Sequence, residues 1–408
     1  MKEFFNVKDI QEVLSLRGMF PETETEEISL DDALGRVLAL DMVSESDLPD
    51  FRRSTVDGYA IRAASAFGAS EGSPAFLTVK GTILMGQTPD FSVKTGEAAR
   101  IATGGMLPEG ADSVVMIEHT EILDEKAIEV CKSAAPGQHV IEIGEDFRKD
   151  ESILFRGQKI RAAEAGLLAA FGQERVRVFR KPVISIISTG DEVVPVQQKP
   201  GRGQIRDINT HTLAALVRES GAEALCFGIV RDNYDELLRT CTQALNRSDM
   251  VLISGGSSVG TRDFTIEVLS ALADSEILVH GISVSPGKPT ILAKVGHKAF
   301  WGLPGHAVSA MVVFISIVRP FVRHISGIAP EYERSVRIRA GLSRNLASAQ
   351  GRTDFVRVRL REKDGETWAE PILGKSGLIS TMVRADGLIE IGRDTEGLNK
   401  GETVWVMI

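Results

Sequence analysis

The sequence predicts a multidomain α/β-plus-β protein, with a mostly parallel α/β middle set between two β-rich parts. Three observations predict it. From Pro182 onward, apolar strands alternate with amphipathic helices. Between about Ser44 and Asp150, short β-like runs are punctuated by Gly, Pro and Asp-Gly. After about Tyr332, the period-2 pattern returns. A chain of 408 residues also exceeds one ordinary hydrophobic core, which suits about two to four domains.

The elements follow in order. The N-terminus, MKEFFNVKDIQEVLSLRG, places acids within an apolar pattern and reads as an amphipathic helix, not a signal peptide. In the first β-rich part, Phe76–Val79, Ala98–Ile101 and Ser113–Ile117 are strand-like, and Asp57-Gly58 reads on spacing alone as a hairpin turn. Ala162–Phe171 is an alanine- and leucine-rich helix. Val183–Ser188 is a continuous apolar strand. Asn209 can cap a helix with Leu213, Leu216 and Val217 on its apolar face, and Gly221 can end it. Strands are expected at Ala224–Val230, Met250–Ile253, Ile277–Val284 and Ala299–Leu303, with helices at Asn233–Leu245, Phe264–Leu272 and Ala307–Val318. This alternation argues for a sheet covered on both faces. In the tail, Val356, Val358 and Leu360 alternate with Arg357 and Arg359, Asp364-Gly365 signals a hairpin, and Val404-Trp405-Val406 is a last strand.

Composition narrows the function. Hydrophobic residues make up 43% and charged residues 25%, the mix of a soluble globular protein. The net charge of −9 and the lack of a Lys/Arg-rich block argue against a nucleic-acid partner. The apolar run Ala307–Val318 stops at Arg319-Pro320, too short for a membrane span. Three cysteines without a Cys-x-x-Cys pair make a disulfide framework unexpected and a reducing, cytoplasmic setting the best fit. The histidines lack zinc-site spacing.

Three glycine-containing loops follow apolar strands: Ser188-Thr-Gly-Asp191-Glu192, Ser254-Gly255-Gly256-Ser257-Ser258-Val-Gly260, and Gly302-Leu-Pro304-Gly305-His306. In a parallel sheet all three lie at the carboxyl ends of strands, where ligands bind. The second and third suit an oxyanion, through backbone N–H groups and a following helix N-terminus. The first presents two carboxylates, which suits Mg²⁺. Any one of these loops alone is equally a tight connection. Gly281–Pro289 is not a P-loop, since Pro289 replaces the required Ser/Thr, and no Gly-x-Gly-x-x-Gly opens a helix. Lys288, held between Gly287 and Pro289, is placed for an anion or is a solvated turn lysine.

The fragments VDGYA, RIATGG, GADSVVMIE, GED, ISTGDE, SGGSSVG, PGKP and GLPGH, in this order over about Ser54 to Ser309, resemble the molybdopterin molybdenumtransferase family; Gly374-Lys-Ser376-Gly extends the likeness into the tail. The resemblance implies a four-part subunit. A linker domain (26–43 and 151–181) carries an inserted β-rich lobe (44–150). A molybdopterin-binding-type α/β domain (1–25 and 182–331) and a β-barrel-like domain (332–408) complete it. It implies a homodimer whose cleft joins one subunit's α/β domain to the other's lobe. It implies molybdate and adenylylated molybdopterin as substrates, with Mg²⁺-dependent release of AMP. Asp57, Thr103, Asp146, Glu192, Asp263 and Lys288 are then catalytic, with Asp191, Glu192 and Asp263 on the metal. Gly255, Gly256, Ser257, Ser258, Gly260, Asn209, Pro304, Gly305 and Ser376 bind substrate. A molybdopterin adenylyltransferase and apo-molybdoenzymes become expected partners. The chain departs from the usual family pattern at Ser285, where many relatives carry lysine, at Ala307, which replaces a proline, and at Thr261 and Arg262, ahead of Asp263. The competing functions are a molybdopterin adenylyltransferase and a non-catalytic pterin-binding scaffold. Against the first stand the long lobe and tail. Against the second stand the retained acids.

Overall fold

The computed structural model describes residues 7–255, 261–333 and 335–408, with the backbone alone for 261–263. Two compact units form. One gathers the chain up to Leu40, Arg156–Ala169 and Gln173–Ile408, and the other holds Asp41–Phe155 with Ala170–Gly172. In the second, the Phe171 ring meets Phe147 edge-on at 6.3 Å.

The larger unit is built on a six-stranded sheet in the order Glu223–Val230, Val183–Thr189, Met250–Ser254, Lys298–Leu303, Ile291–Val295, Ser275–His280. The first four strands are parallel and the last two antiparallel. Apolar residues point to both faces, so each face is covered. Ile184, Ile186, Leu252 and Trp301 pack with the helix Asn209–Glu219, the helix that starts at Ala307, and Ile10 and Val13 of the N-terminal helix. Ile187, Val251, Ile253 and Phe300 pack with Leu237, Cys241, Val268 and Leu269 of the helices Tyr234–Arg247 and Thr261–Ala271. Each such fully buried side chain contributes about 1.5–3 kcal/mol. The N-terminal helix Ile10–Ser15 starts at a capping box, in which Asp9 and Glu12 satisfy each other's backbone N–H. All three cysteines are free.

Several local expectations are corrected. The strand expected over Ile277–Val284 ends at His280, because Gly281 turns left-handed (φ 101°), and Val284–Ser285 joins another sheet. The strand Ile291–Val295, unforeseen, lies in the sheet between Lys298–Leu303 and Ser275–His280. The helix from Ala307 does not stop at Arg319-Pro320. It continues to Ile325 through a π-helical segment, Phe314–Val318. Proline cannot donate the next hydrogen bond, and the wider π turn just ahead absorbs that mismatch. This 19-residue helix is long and apolar enough to cross a membrane by composition, yet most of it is buried in the core.

In the smaller unit the sheet runs Ser113–Met116, Gly58–Ile61, Glu97–Ile101, Ala75–Thr82, Ala127–Val130, Thr120–Asp124, with one parallel pair among antiparallel ones. Asp57-Gly58 is not a hairpin turn. Gly58 opens a central strand, and a Cβ there would lie 1.9 Å from the Val115 carbonyl oxygen. The glycine is required by close approach between strands.

The C-terminal sheet runs Val284–Ser285, Thr353–Lys363, Glu366–Pro371, Arg337–Leu342, Thr403–Met407, Gly387–Ile391, and it closes as a barrel because Gly387–Ile391 also pairs with Thr353–Lys363. Asp364 and Gly365, both at positive φ, make the expected tight turn. Val358 and Ile389 fill the barrel. Phe355 and Leu388, on the outer face, belong to the core of the central sheet. Arg357 shares that covered face and is buried, contrary to the outward position its alternation predicts.

Candidate functional site

The carboxyl ends of the parallel strands carry the first group of residues. Strand Val183–Thr189 ends at Gly190 (φ 138°), after which Asp191 and Glu192 project to solvent. The neighbouring strand Glu223–Val230 ends just before Asp232, whose backbone N–H donates to Asp191 Oδ1 at 3.3 Å. Burial first, and then the negative charges of Asp191 and Glu192, hold the Asp232 carboxyl above the usual carboxylate range. Negative charge thus accumulates here, the electrostatic condition that favours a divalent ion. Asp232 was missed in the sequence. Its signal was the Arg-Asp-Asn that follows the strand paired directly with the Asp191 strand.

Gly255 ends the next strand at φ 150°, and a Cβ there would fall 2.0 Å from Thr189 Oγ1. The first two loops therefore touch through backbone that only glycine permits. Gly256, Ser257, Ser258 and Gly260 lie outside the described residues, as does the Asp263 side chain. Its backbone lies in the first turn of the helix Thr261–Ala271.

Asn209 takes a different role from the helix cap its position suggested. It is the first helical residue, and Asp207 does the capping, since Asp207 Oδ1 accepts from Thr210 N at 3.0 Å and from Ser188 Oγ at 2.9 Å. Thr210 Oγ1 also donates to Ser188 Oγ at 3.1 Å. This buried network fixes the start of the helix to the central strand. The Asn209 side chain is left to donate its amide to the Gly305 carbonyl at 2.8 Å, which holds the third loop.

That loop opens on a cavity of about 670 Å³, lined by Lys288, Ser285 and Pro304 from the α/β region and by Arg352 and Ser376 from the barrel, with His306 and Ser309 on the same wall. His306 Nδ1 lies 2.8 Å from Ser376 Oγ. Arg352 pairs with Asp354 at 2.9 Å. Buried Arg357 donates to the Gly374 carbonyl at 2.8 Å and so anchors the Ser376 loop from behind. A cavity with ammonium, guanidinium and hydroxyl donors matches a small oxyanion. Arg352 and Arg357 were not read as site residues, and His306 only as part of the third loop, because only the barrel's docking brings Arg352 and Ser376 to Lys288.

The remaining predicted residues lie in the smaller unit. Thr103 donates to Asp57 Oδ1 twice, from its backbone N–H at 2.7 Å and from its hydroxyl at 2.9 Å. These bonds hold the Asp57 carboxyl below its ordinary range, the backbone bond acting most strongly. The loop is braced by Gly104 N–H donating to Ser54 O at 2.8 Å and Ser54 N–H donating to Gly105 O at 3.0 Å. Asp146 is exposed, with its backbone N–H donating to Leu48 O.

Among the described residues no three His, Cys, Asp or Glu side chains form a ready-made metal cage. Two exposed carboxylates in a negative field still fit Mg²⁺, which is commonly held by one or two carboxylates and completed by substrate phosphates.

Comparison with known proteins places the chain in a family. Three family models match in chain order: the MoeA N-terminal region (domain I and II) over residues 6–172, a probable molybdopterin binding domain over 185–324, and the MoeA C-terminal region (domain IV) over 339–408. The molybdopterin molybdenumtransferase of Haemophilus influenzae is 32% identical, covering 95% of this chain and 94% of its own. That of Bacillus subtilis is 31% identical, covering 94% and 90%. The crystal structure of a molybdopterin biosynthesis moeA protein from Pyrococcus horikoshii OT3 superposes with a TM-score of 0.85 at 32% identity, covering 99% of this chain and 100% of that one. In sequence, domain order and fold, the chain belongs to the molybdopterin molybdenumtransferase family, the transferases of molybdenum cofactor biosynthesis.

Proposed function

We propose that this chain inserts molybdate into adenylylated molybdopterin and releases AMP in a Mg²⁺-dependent reaction, as a cytoplasmic homodimer. The cavity shared by Lys288, Arg352 and Ser376 carries the reading, because it is built for a small oxyanion at the same sheet edge as the acids. Molybdate is received there. The Lys288 ammonium and the Ser376 hydroxyl, oriented by His306, direct donors at its oxygens. Asn209 holds the Gly305 loop at the mouth. Gly255, with Gly256, Ser257, Ser258 and Gly260, cradles the substrate phosphates through backbone N–H groups.

Asp191, Glu192 and Asp263 would hold Mg²⁺. Held by these acids, the ion would supply positive charge to the substrate phosphoryl group. Two unit charges 4 Å apart interact by about 4 kcal/mol at an effective dielectric near 20. Bare acids would therefore repel a phosphoanhydride, and a divalent ion reverses the sign. Asp57, Thr103 and Asp146 serve the same reaction in the dimer, with Asp57 kept ionised by Thr103 as a fixed acceptor.

The test supplies purified protein with adenylylated molybdopterin, molybdate and Mg²⁺ and follows AMP and active cofactor together. Both should appear in step, and neither should appear in EDTA. ATP consumption with free molybdopterin would replace the reading with an adenylyltransferase. Tight ligand binding without AMP release would replace it with a scaffold.

A further inference from the structure

A second cavity, of about 410 Å³, opens at the far end of the same helices. Its walls include Arg319 and Arg323 of the long helix, Lys159 and Arg161 of the linker, and Tyr332. Arg319 stands twelve residues beyond Ala307, so about 18 Å of helix separates it from the substrate end. No residue of this cavity enters the reaction proposed above.

The cavity is short of negative charge. Arg161 is paired with Glu164, and Glu333 is shared between Arg17 at 3.3 Å and Arg323 at 3.7 Å. Counted with these partners among the described residues, five cations (Arg17, Lys159, Arg161, Arg319, Arg323) face three acids (Glu164, Glu219, Glu333), a surplus of two positive charges in a chain whose net charge is −9. Arg319 and Arg323 are spaced i,i+4, so two like charges stack on one helix face, an arrangement that destabilises a helix unless an anion offsets it. Arg319 Nε is buried without a hydrogen-bond partner among the described residues. The π turn Phe314–Val318 lies immediately before Arg319. By adding a residue to the turn, it rotates this Arg pair by about 100° relative to the preceding helix. The carboxyl end of the helix Asn209–Glu219 also reaches the cavity and attracts cations. That helix end accounts for a single positive charge near Glu219 and Ser220, but not for an Arg whose buried Nε finds no acceptor.

The geometry points to a binding site for a phosphate monoester dianion. The charge matches the surplus of two. The guanidinium fork offers paired donors of the kind that recognise phosphate oxygens. Tyr332 and Ile328 give one wall an apolar surface on which the organic part of the ester can rest. The volume lies within the range of small-ligand sites.

The test titrates inorganic phosphate and, separately, AMP into the full-length protein by calorimetry, in EDTA so that the substrate edge lacks its divalent ion. Saturable binding is expected. Arg319→Gln and Arg323→Gln should each weaken it by about tenfold or more, the loss of one charge-assisted contact. Lys288→Ala, which weakens the oxyanion cavity at the sheet edge, should leave the binding that depends on Arg323 unchanged. Arg323→Gln, at the more open position, keeps the test valid if Arg319→Gln fails to fold. A preference for AMP that disappears in Tyr332→Leu identifies a nucleotide as the ligand, whereas equal affinities identify the phosphate group alone. Unchanged affinity in Arg323→Gln, or loss of binding in Lys288→Ala, overturns the assignment. So does an Arg323→Gln variant that dissociates into monomers while binding phosphate normally, which would assign these cations to contacts between copies of the chain.

Discussion

Replacing Arg357 with Met should damage turnover far more than stability. Arg357 is 6% exposed, and its Nη2 donates to the Gly374 carbonyl at 2.8 Å while its Nε is buried without a partner among the described residues. Burial pushes the guanidinium pKa down. A hydrogen bond from a charged donor is worth about 1.5–3 kcal/mol, and an unsatisfied buried donor costs about 1–3 kcal/mol. Methionine removes both while filling the space of the arginine stem as far as Nε, so the two contributions nearly cancel. Unfolding free energy should shift by about 1 kcal/mol or less. The Ser376 loop, however, loses the anchor behind Gly374. If ordering it then falls to the substrate, at the same cost of about 1.5–3 kcal/mol, the KM for molybdate should rise about 10- to 150-fold. The assays are urea unfolding and AMP release as a function of molybdate. A variant with wild-type molybdate dependence, or one destabilised by several kcal/mol, refutes the positioning role.

Other substitutions test separate parts of the site. Thr103→Val keeps the backbone donor to Asp57 and removes the hydroxyl, so the Asp57 pKa should rise toward its ordinary value without reaching it. An NMR titration showing no change would remove Thr103 from that role. Glu164 has its pKa lowered from 4.5 to about 2, chiefly by hydrogen bonds from Arg161. A depressed carboxyl pKa adds stability above pH 4.5 that is lost as pH falls toward 2. The full shift corresponds to about 3 kcal/mol, reduced to about 1–2 kcal/mol because Arg161 is open to water. Wild type should therefore outlast Glu164→Gln in urea at pH 7, and the gap should narrow below pH 4.5 and close near pH 2; a pH-independent gap contradicts the pairing. Gly255→Ala forces a Cβ to within 2.0 Å of Thr189 Oγ1 at φ 150° and should destabilise by at least about 1–3 kcal/mol. A wild-type melting temperature in that variant would show that the two loops do not touch.

Much of the central domain was legible because its strands and helices are continuous, well separated in period, and marked by residues such as Asn233 and Gly221. The failures have physical causes. Asp57-Gly58 carries the composition of a turn, but a glycine needed for close strand approach looks the same in sequence. Arg357 alternates with valines as though exposed, and only the docking of the barrel on the central core covers its face. The helix past Pro320 survives through a π turn, which has no composition signal. The site divided in the same way. Asp191, Glu192, Gly255, Lys288 and Pro304 follow strands or lie in short glycine-marked loops and could be read locally. Asp232, Arg352 and His306 acquire their meaning from strand order and barrel placement, which act across long stretches of chain.

The claim on which the account rests is that Lys288 helps receive the oxyanion in the shared cavity. Measuring AMP release from adenylylated molybdopterin against molybdate concentration, for wild type and Lys288→Ala, tests it directly. Losing one charge-assisted contact worth about 1.5–3 kcal/mol should raise the molybdate KM by at least about tenfold, with the fold unchanged. A variant that saturates at the wild-type molybdate concentration would place the oxyanion elsewhere.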